Sequence, residues 1–131
     1  MIGKLDDAMD FQAQALKLRS YRQQLLASNI ANSDTPNYKA VDFDFATALR
    51  NASHGAQPLA ATAPGHLSSA GAAPAGAKVQ FRGATQPSID GNTVDMDVER
   101  AQFVDNSVRY EAAVRFLNIQ IRTLTSAIRG E

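Results

Sequence analysis

The chain has 131 residues, and its 13 Lys+Arg balance 13 Asp+Glu, so no net field draws it to nucleic acid or an anionic membrane surface. It contains neither Cys nor Trp, which excludes disulfides, thiolate catalysis and cysteine zinc sites. Alanine supplies 23 of the residues behind a hydrophobic fraction of 44%, whereas Leu, Ile, Val and Phe together number only 29, so the material for an independent core is thin.

Residues 3–32 lack Pro and are rich in Ala, Leu, Gln, Arg and Lys, all good helix formers. Leu5, Ala8, Met9, Ala15, Leu18, Tyr21, Leu25, Leu26 and Ile30 fall mostly three or four apart. The spacing predicts one helix, about 45 Å long at the usual rise per residue. Thr35 before Pro36 is pushed out of the helical region, which ends it. Residues 1–36 therefore form the first zone. Residues 37–94 form an irregular second one, with an extended start and short helix over 40–50, a turn over 87–92, and a short strand at Lys78–Arg82. Within it, residues 52–77 are almost wholly Ala, Gly, Pro, Ser and Thr and carry no charge, the composition of a mobile loop.

The third zone, 95–131, repeats Tyr110, Val114, Leu117, Ile121, Leu124 and Ile128 at spacings of four and three, a heptad-like seam. Ala101, Val104, Val108 and Ala112 form a second apolar row. Asp95 is the expected N-cap and Gly130 the stop. The fold class is mainly α: two long terminal helices paired as a coiled-coil-like hairpin, with Leu18 and Leu25 among the helix-packing residues, around a loop-rich middle. No apolar run approaches the length of a membrane span, and the acidic N-terminus has no apolar signal core.

Chemistry is sparse. His54 and His66, the two histidines, lie in the Ala/Gly/Pro stretch, which gives no rigid frame for a base or a metal ligand. The acidic run from Asp90 to Glu99 lacks calcium-loop spacing, because Gly91 is second and Val94 occupies a ligand position. Phosphate-cradling and nucleophile-elbow motifs are absent. The reading is a structural chain, not an enzyme, without cofactor, metal or small-molecule substrate. Its apolar rows either pack within one hairpin or also serve intermolecular contacts, with Phe11, Phe103 and Phe116 free for a neighbour. A small helical adaptor or export chaperone that grips a partner helix is the alternative.

Asn29, Ile30, Ala31 and Asn32, followed by Thr35, Pro36 and Tyr38, resemble the N-terminal signature of bacterial flagellar axial proteins, the rod, hook and hook-associated family. The segment Gln86–Asp97, followed by Glu99, Arg100, Gln102, Phe103 and Asp105–Ser107, is similar to a second signature found in proximal rod members, as is Asp42–Phe45. The resemblance covers both ends and fails over 52–77. It implies a subunit of the proximal rod of the basal body, exported by the flagellar type III apparatus without a cleaved signal and assembled in the periplasm into a tube that transmits torque. The implied partners are further copies, other rod proteins, a rod-base adaptor and the membrane-ring protein. Physically, the first signature reads as a helix exit: Asn caps, Pro36 stops the helix and Tyr38 anchors the returning chain.

Overall fold

The computed structural model describes residues 2–54, 73–74, 76–86 and 88–130. Helix α1 spans Ile2–Ala31 and stops where the Asn-Ser-Asp-Thr-Pro segment begins. A two-residue strand β1, Val41–Asp42, leads into helix α2, Phe45–Ser53, whose N-cap Asp44 accepts from the Thr47 N–H. Strand β2, Gln80–Phe81, pairs antiparallel with β1, Val41 opposite Phe81 and Asp42 opposite Gln80. Helix α3 then runs over Met96–Arg129.

Helix α3 begins and ends as its sequence dictates. Asp95 is extended and accepts from the N–H groups of Asp97 and Val98, satisfying donors that no helical turn supplies. Gly130 closes the other end at φ 74°, its N–H bonded to the Ser126 carbonyl at 3.0 Å. A left-handed cap of this kind favours glycine because a Cβ would crowd the preceding carbonyl.

The apolar core lies between α1, β1 and α2. Leu18, Phe43 and Ala48 are its buried centre, with Tyr21, Leu25, Phe45, Leu49, Ala52 and Ala77 packed around them. Tyr21 stacks on Phe43 at 5.8 Å, and the Arg19 guanidinium covers the Phe45 ring at 4.1 Å. Most of the 52–77 segment lies outside the described residues, but its C-terminal end is packed rather than mobile. Gly76, at φ 89°, fits so close to α2 that a Cβ there would lie 2.5 Å from the Ala48 carbonyl. Close approach therefore requires glycine.

Antiparallel to α1, α3 packs along it as the sequence implies. The contact face differs in detail. Val114, Leu117 and Leu124 are half-buried, whereas Tyr110, Ile121 and Ile128 are exposed, Ile128 by 86%. The residues of α3 that bury completely are Glu99 and Asn106, both polar. Asn106 donates to the Arg19 carbonyl at 3.0 Å and to Gln23 Oε1 at 2.7 Å, and Gln23 donates to Ser107 Oγ. These bonds turn α3 toward Glu99 and Asn106 and leave the outer seam residues uncovered, at the cost of burying Asn106 Oδ1 and Gln120 Oε1 without a partner among the described residues. Hydrophobic spacing alone does not register that rotation, because a buried amide without partners costs more than a half-buried Ile gains.

Candidate functional site

The corner at the end of α1 is held from three sides. Asn32 returns its side-chain Nδ2 to the Ser28 carbonyl at 2.8 Å, and Thr35 Oγ1 donates to Asn32 Oδ1 at 3.1 Å. Asn92, buried and 60 residues away, donates its amide to the carbonyls of Asn32, Ser33 and Thr35 at 3.0, 2.9 and 2.8 Å. One distant side chain thus shares its two amide hydrogens among three carbonyls, of which those of Asn32 and Thr35 also accept from the Thr35 and Tyr38 N–H groups. Asn37 takes φ 61° and donates its N–H to the Asp90 carbonyl at 2.8 Å, so the left-handed turn falls there and not at Asn29 or Asn32. Opposite it, Gly91 at φ 72° leaves room that a Cβ, 2.6 Å from Asn37 Oδ1, would fill.

Asn29 is the buried centre of the corner. Its Nδ2 donates to the Val41 carbonyl at 2.8 Å and to Glu99 Oε2 at 3.2 Å. Its Oδ1 accepts from the Val41 N–H at 3.0 Å and from the Tyr38 hydroxyl at 3.1 Å. All four bonding positions of the amide are used. The side chain therefore pairs with β1 as another strand would, and it ties α1, the returning chain and α3 together. Tyr38 also accepts at its carbonyl from Thr93, so the anchor engages both chain directions.

Beside Asn29 runs a chain of charges. Arg22 binds Asp42 through two nitrogens, each at 3.1 Å, and donates to Gln102 Oε1 at 3.1 Å. Arg82 donates to Asp42 Oδ2 at 2.6 Å and to the fully buried Glu99. Burial pushes the Asp42 carboxyl up, but bonds from Arg22, the Phe43 N–H and Arg82 outweigh it and hold the group below the usual carboxylate range. A buried carboxylate such as Glu99 is tolerable because Arg82 and Asn29 both bond to it.

The seven signature residues fall into two sets. Asn29, Asn32, Thr35 and Tyr38 make the bonds above, while Ile30 is half-buried and Ala31 and Pro36 are exposed at the exit. Leu18 is buried in the core beside Phe43 and the α2 residue Ala48, and Leu25 packs against that cluster. Arg22, Asp42, Arg82, Asn92 and Glu99 did not stand out from sequence as site residues. Their signal is positional: Glu99 and Asn106 are seven residues apart on an apolar face, where a polar residue marks a buried partner. Among the described residues no group of three His, Cys, Asp or Glu side chains could share a metal ion, and no helix is long and apolar enough to cross a membrane. His54 is exposed at the end of α2, and His66 lies outside the described residues.

Away from α1, α3 carries its second apolar row in the open. Val104 and Val108 are 60% and 63% exposed, and Ile119 and Phe116 on the flanks are also exposed. A strip of that kind on a polar helix is an interaction surface.

Comparison with known proteins agrees with this geometry. The family described as flagella basal body rod protein matches residues 9–39, which contain the corner. The flagellar basal body rod protein FlgB of Escherichia coli (strain K12) is 43% identical over 136 residues, covering 99% of each chain. FlgB of Salmonella typhimurium is 40% identical, again over 99% of both, and that of Cereibacter sphaeroides is 45% identical over 125 residues, covering 95% of this chain and 96% of its own.

Proposed function

The chain belongs to the flagellar basal body rod protein family, and we propose that its place is the proximal rod, where its helices pack side by side into a hollow wall that passes torque. It is a structural subunit of the basal body rod and assembles with other rod components. The observation that carries the finer reading is α3 itself: one face lies on α1, and the other offers Val104 and Val108, in line with Arg115 and Arg122, to solvent. A helix with uncovered apolar residues opposite its packed face belongs between layers, and identical subunits that meet through different faces build an open or tubular array. An adaptor that grips one partner helix needs one such face, so the second row favours the wall.

The corner supplies the stiffness this role requires. Asn29, Asn92, Arg22, Asp42, Arg82 and Glu99 join three separate segments with polar bonds of fixed direction, which transmit a twist where an apolar contact slides. We assign Asn29, Ile30, Ala31, Asn32, Thr35, Pro36 and Tyr38 to setting the direction in which the chain leaves α1. Tyr110, Val114, Leu117, Ile121, Leu124 and Ile128 are assigned to helix packing, with the exposed members meeting neighbours. Export through the flagellar type III apparatus without a cleaved signal, assembly in the periplasm, and contact with a rod-base adaptor and the membrane-ring protein complete the proposal. Deleting the gene and imaging basal bodies tests it: an absent rod above an intact ring is expected, and a complete rod overturns it.

A further inference from the structure

The outer edges of the α1–α3 hairpin carry opposite charges at the same height. Leu5, Ala8 and Met9 line one groove with Ile119, Thr123 and Leu124, which sets residues 6–11 of α1 level with about residues 118–123 of α3. On α1, stepping 100° per residue, Asp6, Asp7 and Asp10 fall on the side turned away from α3, and all three are exposed. Asp7 and Asp10 rim a groove with the exposed Phe11 and the half-buried Gln14, closed by Ala52 and Ser53 of α2. Arg115, Arg122 and Arg129 recur every seven residues on α3, and all are exposed. Arg115 reaches Glu111 only at 3.8 Å, and neither Arg122 nor Arg129 has an ion-pair partner among the described residues. Nor does any of the three aspartates.

The apolar residues match as the charges do. Ile119 stands between Arg115 and Arg122 on α3, and Phe11 stands beside Asp7 and Asp10 on α1. A second hairpin set alongside the first, without axial shift, brings its α1 edge to the α3 edge of its neighbour at matching height. We infer that a second copy of this chain docks in this way, with Ile119 seated on Phe11 and Arg122 facing Asp7 and Asp10. The inference rests on the rod-subunit reading for its setting, and it names the residues of one lateral contact. Electrostatic complementarity fixes its direction: acidic edge to basic edge repeats around a wall, whereas acidic to acidic does not.

Because the chain lacks cysteine, introduced thiols report the contact directly. Purified full-length chains bearing Phe11→Cys and Ile119→Cys are mixed in equal amounts and oxidised at rising concentration. Mixed disulfide dimers are expected to predominate over either homodimer. They should be lost when Arg122→Glu is added to the Ile119→Cys chain, and regained when Asp7→Lys and Asp10→Lys are added to its partner. Circular dichroism of each exposed-site variant confirms that the helices persist. Predominant homodimers, mixed dimers indifferent to the charge reversals, or no cross-link at any concentration would overturn the inference. In cells the two readings separate: complete rods in the Arg122→Glu strain remove this contact alone, whereas complete rods in the deletion strain remove the rod reading itself.

Discussion

At residue scale, Asn29 shows why a buried amide is not interchangeable with an apolar group of its size. It supplies two donors and two acceptors to Val41, Glu99 and Tyr38. Leucine in its place leaves both β1 backbone groups and the Glu99 carboxylate short of a partner. At about 1–3 kcal/mol for each buried polar group left unsatisfied, Asn29→Leu should lower the urea unfolding free energy by several kcal/mol. An Asn29→Asp chain should lose a comparable amount, because the new carboxylate cannot donate and faces Glu99. Asp42 carries a pH signature. The folded chain keeps its carboxyl ionised where the unfolded chain takes up a proton, so its contribution to stability is full above the ordinary carboxylate range. It is lost as pH falls through the depressed folded value. Urea midpoints from pH 7 down to pH 3 should therefore fall less steeply in Asp42→Asn, which starts less stable and has nothing to protonate.

The elements depend on such residues for their ends. Helix α1 stops at Ala31 for two reasons of different kind, one local and one distant. Pro36 disfavours helix at Thr35, which any reading of the chain reveals. Asn92 then holds the carbonyls of Asn32, Ser33 and Thr35, and this depends on a residue that the turn 88–93 carries back to the corner. A helix continued past Ala31 would forfeit those three bonds. Pro36→Ala should accordingly cost about 1 kcal/mol or less, through the freer unfolded chain, keeping the Asn92 bonds while relaxing the exit direction that Pro36 helps to set. Asn92→Ala, which removes the side-chain donor from all three carbonyls and leaves that of Ser33 without its partner, should cost about 1–3 kcal/mol. Thermal unfolding of both variants checks the order, and assembly counts of basal bodies should follow it.

Over the whole molecule, stability is concentrated at one end. Among the described residues the buried ones lie within 15–48 and 92–106, so the corner end of the hairpin holds the core and the charge network. The opposite end, residues 2–14 of α1 and 108–129 of α3, has half-buried contacts and exposed Ile and Phe. Hydrogen exchange on the isolated chain should find protection strongest in Leu18–Ala31 and Glu99–Ser107 and falling away toward both termini. On assembly, protection should spread to the outer halves, since a neighbour covers what the single hairpin leaves bare.

Much of this architecture was legible in the chain itself. The two long helices, the caps at Asp95 and Gly130, the short α2 and the β2 strand all follow from local rules. Backbone sterics, capping and apolar periodicity act between residues a few positions apart, so sequence spacing displays them. The signature corner was legible as a place, since Asn29, Asn32, Thr35, Pro36 and Tyr38 cluster within ten residues. Its mechanism was not. Asn29 meets Glu99, Asn32 meets Asn92, and Arg22 meets Asp42, which Arg82 joins to Glu99, all across separations that no period encodes. The rotation of α3 about its axis was likewise decided in three dimensions. Apolar spacing would have buried Ile121, but the Glu99 carboxylate and the Asn106 amide N–H groups find their partners in the other rotation, and those bonds outweigh covering one isoleucine even with Asn106 Oδ1 left unpaired.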